Sequence, residues 1–132
     1  VNLTEKNIDD IIQKSNFSSF MNNSKWEKLF DNLVKEFDSV FIKYKLIGRE
    51  KVLETEFDFV DFYPFFIEPI LYKEIEWVEF PEKMQMINNK RISKQTISEH
   101  SQDITKIKNL INKIGDFDIE KYNGILRLYG YK

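Results

Sequence analysis

Residues 39–59 read SVFIKYKLIGREKVLETEFDF, apolar and charged residues alternating on either side of one glycine. Alternation at period two marks a strand with one buried and one wet face. A two-residue loop at Gly48-Arg49, with glycine in the first central position, predicts a type II′ hairpin. The register that follows sets Ile47 opposite Glu50, Lys43 opposite Glu54 and Tyr44 opposite Leu53. Val40, Ile42, Tyr44 and Leu46 then share a face with Leu53 and Phe57, while Lys43 and Lys45 share the other with Glu54 and Glu56. The apolar set and the charge pairs agree on this register, so an antiparallel sheet with one covered face is expected.

Helical periods lie on both sides of this hairpin. Trp26, Leu29, Phe30, Leu33, Val34 and Phe37 form one apolar stripe, predicting a helix over 25–37 that begins at a Ser24-x-x-Glu27 capping box. Thr4 is expected to cap an earlier helix of about residues 5–14, with Leu3 stapled onto Ile8 and with Ile8, Ile11 and Ile12 on one side. NFSSFMNNS (16–24) reads as a linker. Ser98 or Ser101 is expected to cap a third helix carrying Ile104, Ile107, Leu110, Ile111 and Ile114 and stopping at Gly115. That cap would put His100 in the helix's first turn. The chain ends in FDIEKYNGILRLYGYK (117–132), a second hairpin around Asn123-Gly124 with Ile119 opposite Leu128 and Glu120 opposite Arg127.

Between these elements, Pro64 and Pro69 bracket an aromatic loop. ILYKEIEWVEF (70–80) reads as a strand with Ile75 and Trp77 on one face and Glu74 and Glu76 on the other. Val78 and Phe80 break that alternation, which predicts a bulge or a change of partner near Trp77. Residues 81–97 carry the weakest pattern, with a short strand around Arg91 to Lys94. The expectation is an α+β fold in a single domain, residues 1–132. An antiparallel sheet of two hairpins plus one strand has helices packed on one face, and residues 1–20 form a helical extension.

Composition narrows the function classes. The chain has 132 residues, 42% of them hydrophobic and 15% aromatic, with a net charge of −2. That supplies a core but not the basic surface of a nucleic-acid binder. No cysteine is present, which removes disulfides, thiol nucleophiles and thiolate metal sites. No apolar run reaches the roughly 20 residues of a membrane helix, and VNLTEKNIDDIIQK (1–14) is too acidic for a signal peptide. A cytoplasmic location follows as the expectation. His100 is the only histidine and the four glycines are widely separated, so neither a histidine-rich metal site nor a glycine-rich phosphate loop is expected, and no cofactor is assigned.

Residues 52–80 hold eight acids against Lys73 alone, a local balance of −7 in a chain of net charge −2. Acids two apart at 54, 56, 58 and at 74, 76 project from one face of each strand. Such sets suit a divalent cation or a glycosidase pair, but the wet side of an ordinary sheet accounts for them better. Phe62, Tyr63, Phe65, Phe66 and Tyr72 are interleaved with them, and acids around aromatic anchors suit a basic protein partner. Asp58, Asp61, Tyr63, Glu68, Glu74, Glu76 and Glu79 are therefore the candidate residues for binding a basic protein partner, Asp58, Asp61, Glu68 and Glu74 being without evident partners. No catalytic residue is assigned.

Three stretches, MNNSKWEKLFDNL (21–33), IEWVEF (75–80) and ILRLYGYK (125–132), together resemble a family of small uncharacterised bacterial proteins. That family has an Asn-Asn-Thr-Lys-Trp start, a central Glu-Trp and an Arg-x-x-Gly-Tyr-like end. The resemblance covers about residues 20–132, with Ser24 in place of the threonine, and its motifs look structural: a helix cap, a core tryptophan and a terminal strand. Small, acidic, cysteine-free α+β proteins of this kind also resemble immunity proteins of polymorphic toxin and contact-dependent growth inhibition systems. The resemblance implies a non-enzymatic antitoxin whose partner is a cognate toxin domain, often a basic nuclease. A small cytosolic regulatory or housekeeping protein-binding domain is the alternative, and a carboxylate-based enzyme the third.

Overall fold

A computed structural model of the protein describes residues 5–57, 65–67, 70–89 and 95–132. Its centre is a five-stranded antiparallel sheet ordered β2-β1-β5-β9-β8. The strands are β1 (Val40–Leu46), β2 (Val52–Phe57), β5 (Ile75–Pro81), β8 (Ile119–Tyr122) and β9 (Ile125–Tyr129). Two small sheets accompany it, pairing β3 (Phe65–Ile67) with β4 (Ile70–Leu71) and β6 (Lys83–Asn89) with β7 (Gln95–Ser101). The helices are α1 (Glu5–Ser15), α2 (Asn23–Phe37) and α3 (Ile104–Ile114). This is the expected α+β arrangement, with α2 and α3 covering one sheet face.

Both expected hairpin registers are present: Lys43 opposite Glu54, Tyr44 opposite Leu53, Ile119 opposite Leu128 and Glu120 opposite Arg127. The first turn is built differently from the II′ expectation. The β1–β2 ladder stops at Lys45 and Val52, so the expected pair of Ile47 with Glu50 does not form. Arg49 N donates to Leu46 O at 3.3 Å, so Gly48, at φ 73, takes the second central position of the turn. The cause is tertiary. Ile47 is fully buried against Ile8 and Tyr131, and its N–H donates to Glu74 O at 2.8 Å, which takes it out of the ladder.

The apolar stripe of α2 buries Trp26, Leu29, Phe30 and Leu33 as expected. Phe30 anchors the core, its ring centroid 4.6 Å from that of Phe57, 5.2 Å from Phe66 and 5.8 Å from Trp26. Truncating such a buried ring to alanine costs about 3–5 kcal/mol. The helix starts two residues earlier than the capping box predicts. Asn22 is the N-cap, its Oδ1 accepting from Lys25 N at 2.8 Å, and Ser24 lies inside the first turn. Likewise α3 is capped by Asp103, whose Oδ1 accepts from Lys106 N at 3.0 Å. Ser98, His100 and Ser101 belong to β7, paired with Met86, Met84 and Lys83. A β6–β7 hairpin thus occupies the stretch with the weakest sequence pattern. Thr4, Leu3, Pro64, Pro69 and the strand expected at Arg91 to Lys94 lie outside the described residues.

β5 carries the bulge anticipated near Trp77. Leu46 pairs with Ile75 and Lys45 with Trp77, so Glu76 is the extra residue. The consequence reverses one expectation: Ile75, Val78 and Phe80 face the helices, while Trp77 turns to the opposite face. Ahead of β5 the expected strand is interrupted by a short 3₁₀ helix, Tyr72–Glu74.

The three stretches behind the family resemblance meet at Gly130. A Cβ there would lie 2.4 Å from Ile75 O, 3.1 Å from the Trp26 ring and 3.3 Å from Glu76 O. The N–H groups of Gly130 and Tyr131 both donate to Glu76 O, at 2.8 and 3.1 Å. Bulge, helix start and chain end therefore close on one another, with only a glycine's width between them. The expected linker is also part of this closure. Ser18 N and Lys132 N donate to each other's carbonyls at 3.0 Å, and Phe20 N donates to Gly130 O.

Candidate functional site

The sheet face opposite α2 and α3 is where the charge collects. One row crosses all five strands in register: Glu54, Lys43, Glu79, Arg127 and Glu120. Alternating signs at cross-strand neighbours are the favourable arrangement. Its centre is locked. Glu79 Oε2 accepts from Arg127 Nε at 2.7 Å, from Tyr122 Oη at 3.0 Å and from Arg127 Nη2. The guanidinium lies 4.2 Å from the Trp77 ring centroid, with Tyr129 and Tyr122 at 5.7 and 5.8 Å. Tyr129 Oη in turn donates to Glu120 at 3.0 Å.

These surroundings shift the titrating groups. Burial, then the hydrogen bond to Glu79 and that carboxylate's charge, push Tyr122 above the usual tyrosine range. For Arg127, burial pulls downward, but the bonds to Glu79 and Tyr129 and the Glu79 charge outweigh it and the net shift is upward. At neutral pH Tyr122 therefore keeps the hydroxyl proton that it donates to Glu79, and Arg127 stays a cation. The arrangement suits rigid presentation of charge and aromatic surface. Among the described residues no group of three or more His, Asp or Glu could hold a metal ion.

A second polar device stitches the end of this sheet. Pro81 stands in β5 beside Phe41 of β1 and has no N–H to give the ladder. The Gln102 side chain fills that gap, its Oε1 accepting from Phe41 N at 3.0 Å and its Nε2 donating to Phe41 O and Pro81 O at 2.8 Å. Nothing in the sequence around Gln102 marks it for this role, because its partners lie 21 and 61 residues away.

Of the seven residues chosen from sequence, Asp58, Asp61, Tyr63 and Glu68 lie outside the described residues. Glu74 is buried at 4% exposure, its Oε2 accepting from Leu71 N at 2.7 Å. It has a partner after all and offers almost no surface. Glu76 pairs with Lys45 at 2.9 Å, and Glu79 is buried at 6% beneath Arg127 and Tyr122. Two of the aromatics, Phe66 and Tyr72, are fully buried in the core.

The accessible acids on this face are ones the sequence assigned to neutral pairs. Glu54 and Glu56 are exposed on β2 beside Val52, itself 46% exposed. Lys43 stands opposite Glu54, yet neither Glu54, Glu56 nor Lys43 makes an ion pair among the described residues. Lys43 instead lines a shallow depression of about 350 Å³ with Pro81, Glu82, Lys83 and the Asn123–Ile125 turn. At the opposite edge Glu120 and Tyr122 are exposed.

The sequence model of a family of unknown function (DUF6678) matches residues 8–132, and the chain belongs to that family. The match begins inside α1, so that helix, docked through the fully buried Ile8, is largely within the family's span and not an addition to it. No curated protein and no solved structure matches. Among the described residues no helix is long and apolar enough to cross a membrane.

Proposed function

We propose that this DUF6678 member acts without catalysis, as an immunity-type protein that binds and blocks a basic bacterial toxin domain. One observation carries the reading: Glu54 and Glu56 stand exposed on the sheet face opposite the helices, without an ion pair among the described residues. They open the acidic stretch that the sequence continues through Asp58, Asp61 and Glu68. The buried acids hold the sheet together, and the exposed ones are left to steer a cationic partner. The surface totals 8520 Å², so a standard footprint of about 800 Å² takes roughly a tenth of it.

The test is co-expression with the product of the adjacent gene, scoring growth and co-purification. The wild type should rescue growth and bind more slowly as salt rises, since the Debye length is about 10 Å at 0.1 M. Glu54→Lys with Glu56→Lys should weaken rescue while the protein stays folded. A stable complex with no rescue would point to a regulatory partner instead, and full rescue by the folded double variant would remove this face from the interface.

A further inference from the structure

We infer that the outer edge of β2 receives a strand from the partner, one carrying Lys or Arg at alternate positions beside Glu54 and Glu56. The inference rests on the reading of this face as the site for a basic protein and specifies how that protein is held. β2 is a terminal strand of the five-stranded sheet, and no described strand pairs with its outer side. Edges of this kind are ordinarily blocked by a proline, a bulge, charged side chains, a covering helix or loop, or extreme shortness, and of these β2 shows among the described residues only its two glutamates. β2 has six residues, VLETEF, and pairs with β1 without a register break. The other edge differs, since β8 has only four residues and carries Lys121.

The side chains on β2 choose the occupant. Val52, Glu54 and Glu56 share the outward face and all three are exposed. A second copy is a poor fit. In the antiparallel registers that overlap most of β2, Glu54 falls opposite its own equivalent or opposite Glu56 of the other copy. Like charges directly opposed across a ladder are destabilising. A basic strand meets the opposite situation, with backbone hydrogen bonds giving affinity and cationic side chains at period two giving selection. The acids thus repel copies of this chain and admit a cationic strand.

The probe is a blocked synthetic peptide alternating Lys and Val, compared with one alternating Glu and Val, each added to the full chain. Amide hydrogen exchange over residues 52–57 is followed by NMR. The Lys-Val peptide should slow the outward-facing β2 amides by about tenfold or more near saturation, and the Glu-Val peptide should leave them unchanged. In Glu54→Lys with Glu56→Lys the preference should invert, which also shows that the variant is folded. Binding of the Lys-Val peptide without slowed β2 exchange, or an unchanged preference in the double variant, overturns the inference. Growth rescue by a toxin complex whose β2 amides exchange at the unbound rate also overturns it and leaves the proposed function standing. Slowed exchange with the peptide but no rescue supports the strand site and ends the toxin reading.

Discussion

Replacing Gly130 by alanine tests the closure on which the fold depends. The added Cβ meets Ile75 O at 2.4 Å, Glu76 O at 3.3 Å and the Trp26 ring at 3.1 Å. Ordinary carbon–oxygen contact is about 3.3–3.6 Å, so the backbone at residue 75 must retreat by roughly an ångström. Two of the three neighbours are backbone atoms of the bulge and the third is a ring at 2% exposure, so no flexible side chain can yield. Retreat stretches the two hydrogen bonds that Gly130 and Tyr131 donate to Glu76 O, each worth about 1 kcal/mol net. Overpacking adds about 1–3 kcal/mol, for a total near 3–5 kcal/mol against a typical 5–15. Urea unfolding should show that loss, and Tm should fall by on the order of 10 °C or more. Gly115→Ala is the matched control. Its backbone is extended at φ 168 and a Cβ there meets only Phe117 at 3.6 Å, so it should stay within about 0.5 kcal/mol of wild type. Equal effects of the two substitutions, or a Gly130→Ala loss below about 1 kcal/mol, would refute the argument.

Three further outcomes follow from particular contacts. Gln102→Leu strands the N–H and C=O of Phe41 and the C=O of Pro81. It should cost about 2–4 kcal/mol in urea unfolding and speed amide exchange at Phe41. Arg127→Ala leaves Glu79 buried without its cation and should cost about 3–5 kcal/mol; replacing both by leucine should cost less than the single change, as a double-mutant cycle would show. Tyr131 has its pKa pushed up to about 12, first by burial and then by the charge of Asp9. Its folded pKa exceeds the unfolded value near 10, so the associated stability is whole below pH 10 and is lost as pH rises towards 12. The loss is about 2.7 kcal/mol. Tyr131→Phe gives up the bond to Lys73 O, about 1 kcal/mol at neutral pH, but should show a shallower alkaline decline in pH-dependent urea unfolding.

Local pattern alone determined the α2 stripe, both hairpin registers and the existence of a bulge in β5, because each depends on neighbours a few residues apart. A period of 2 or 3.6 is written into consecutive side chains, and Asn123-Gly124 states its own turn. Tertiary structure decided everything that depends on distant partners. Which hydroxyl or carboxylate caps a helix was settled by where the preceding chain was already committed: Ser101 is held in β7, so Asp103 caps α3. Burial of Ile47 against α1 changed the first turn. The bulge sent Trp77 to the face where Arg127 stacks on it, though its side-chain alternation had placed it with Ile75. The acids show the same division. Sequence located the charge, but only the packing of β5 and β9 turned Glu79 into a buried anchor and left Glu54 and Glu56 exposed. A carboxylate's role depends on what covers it, and the elements that cover these come from chain tens of residues away.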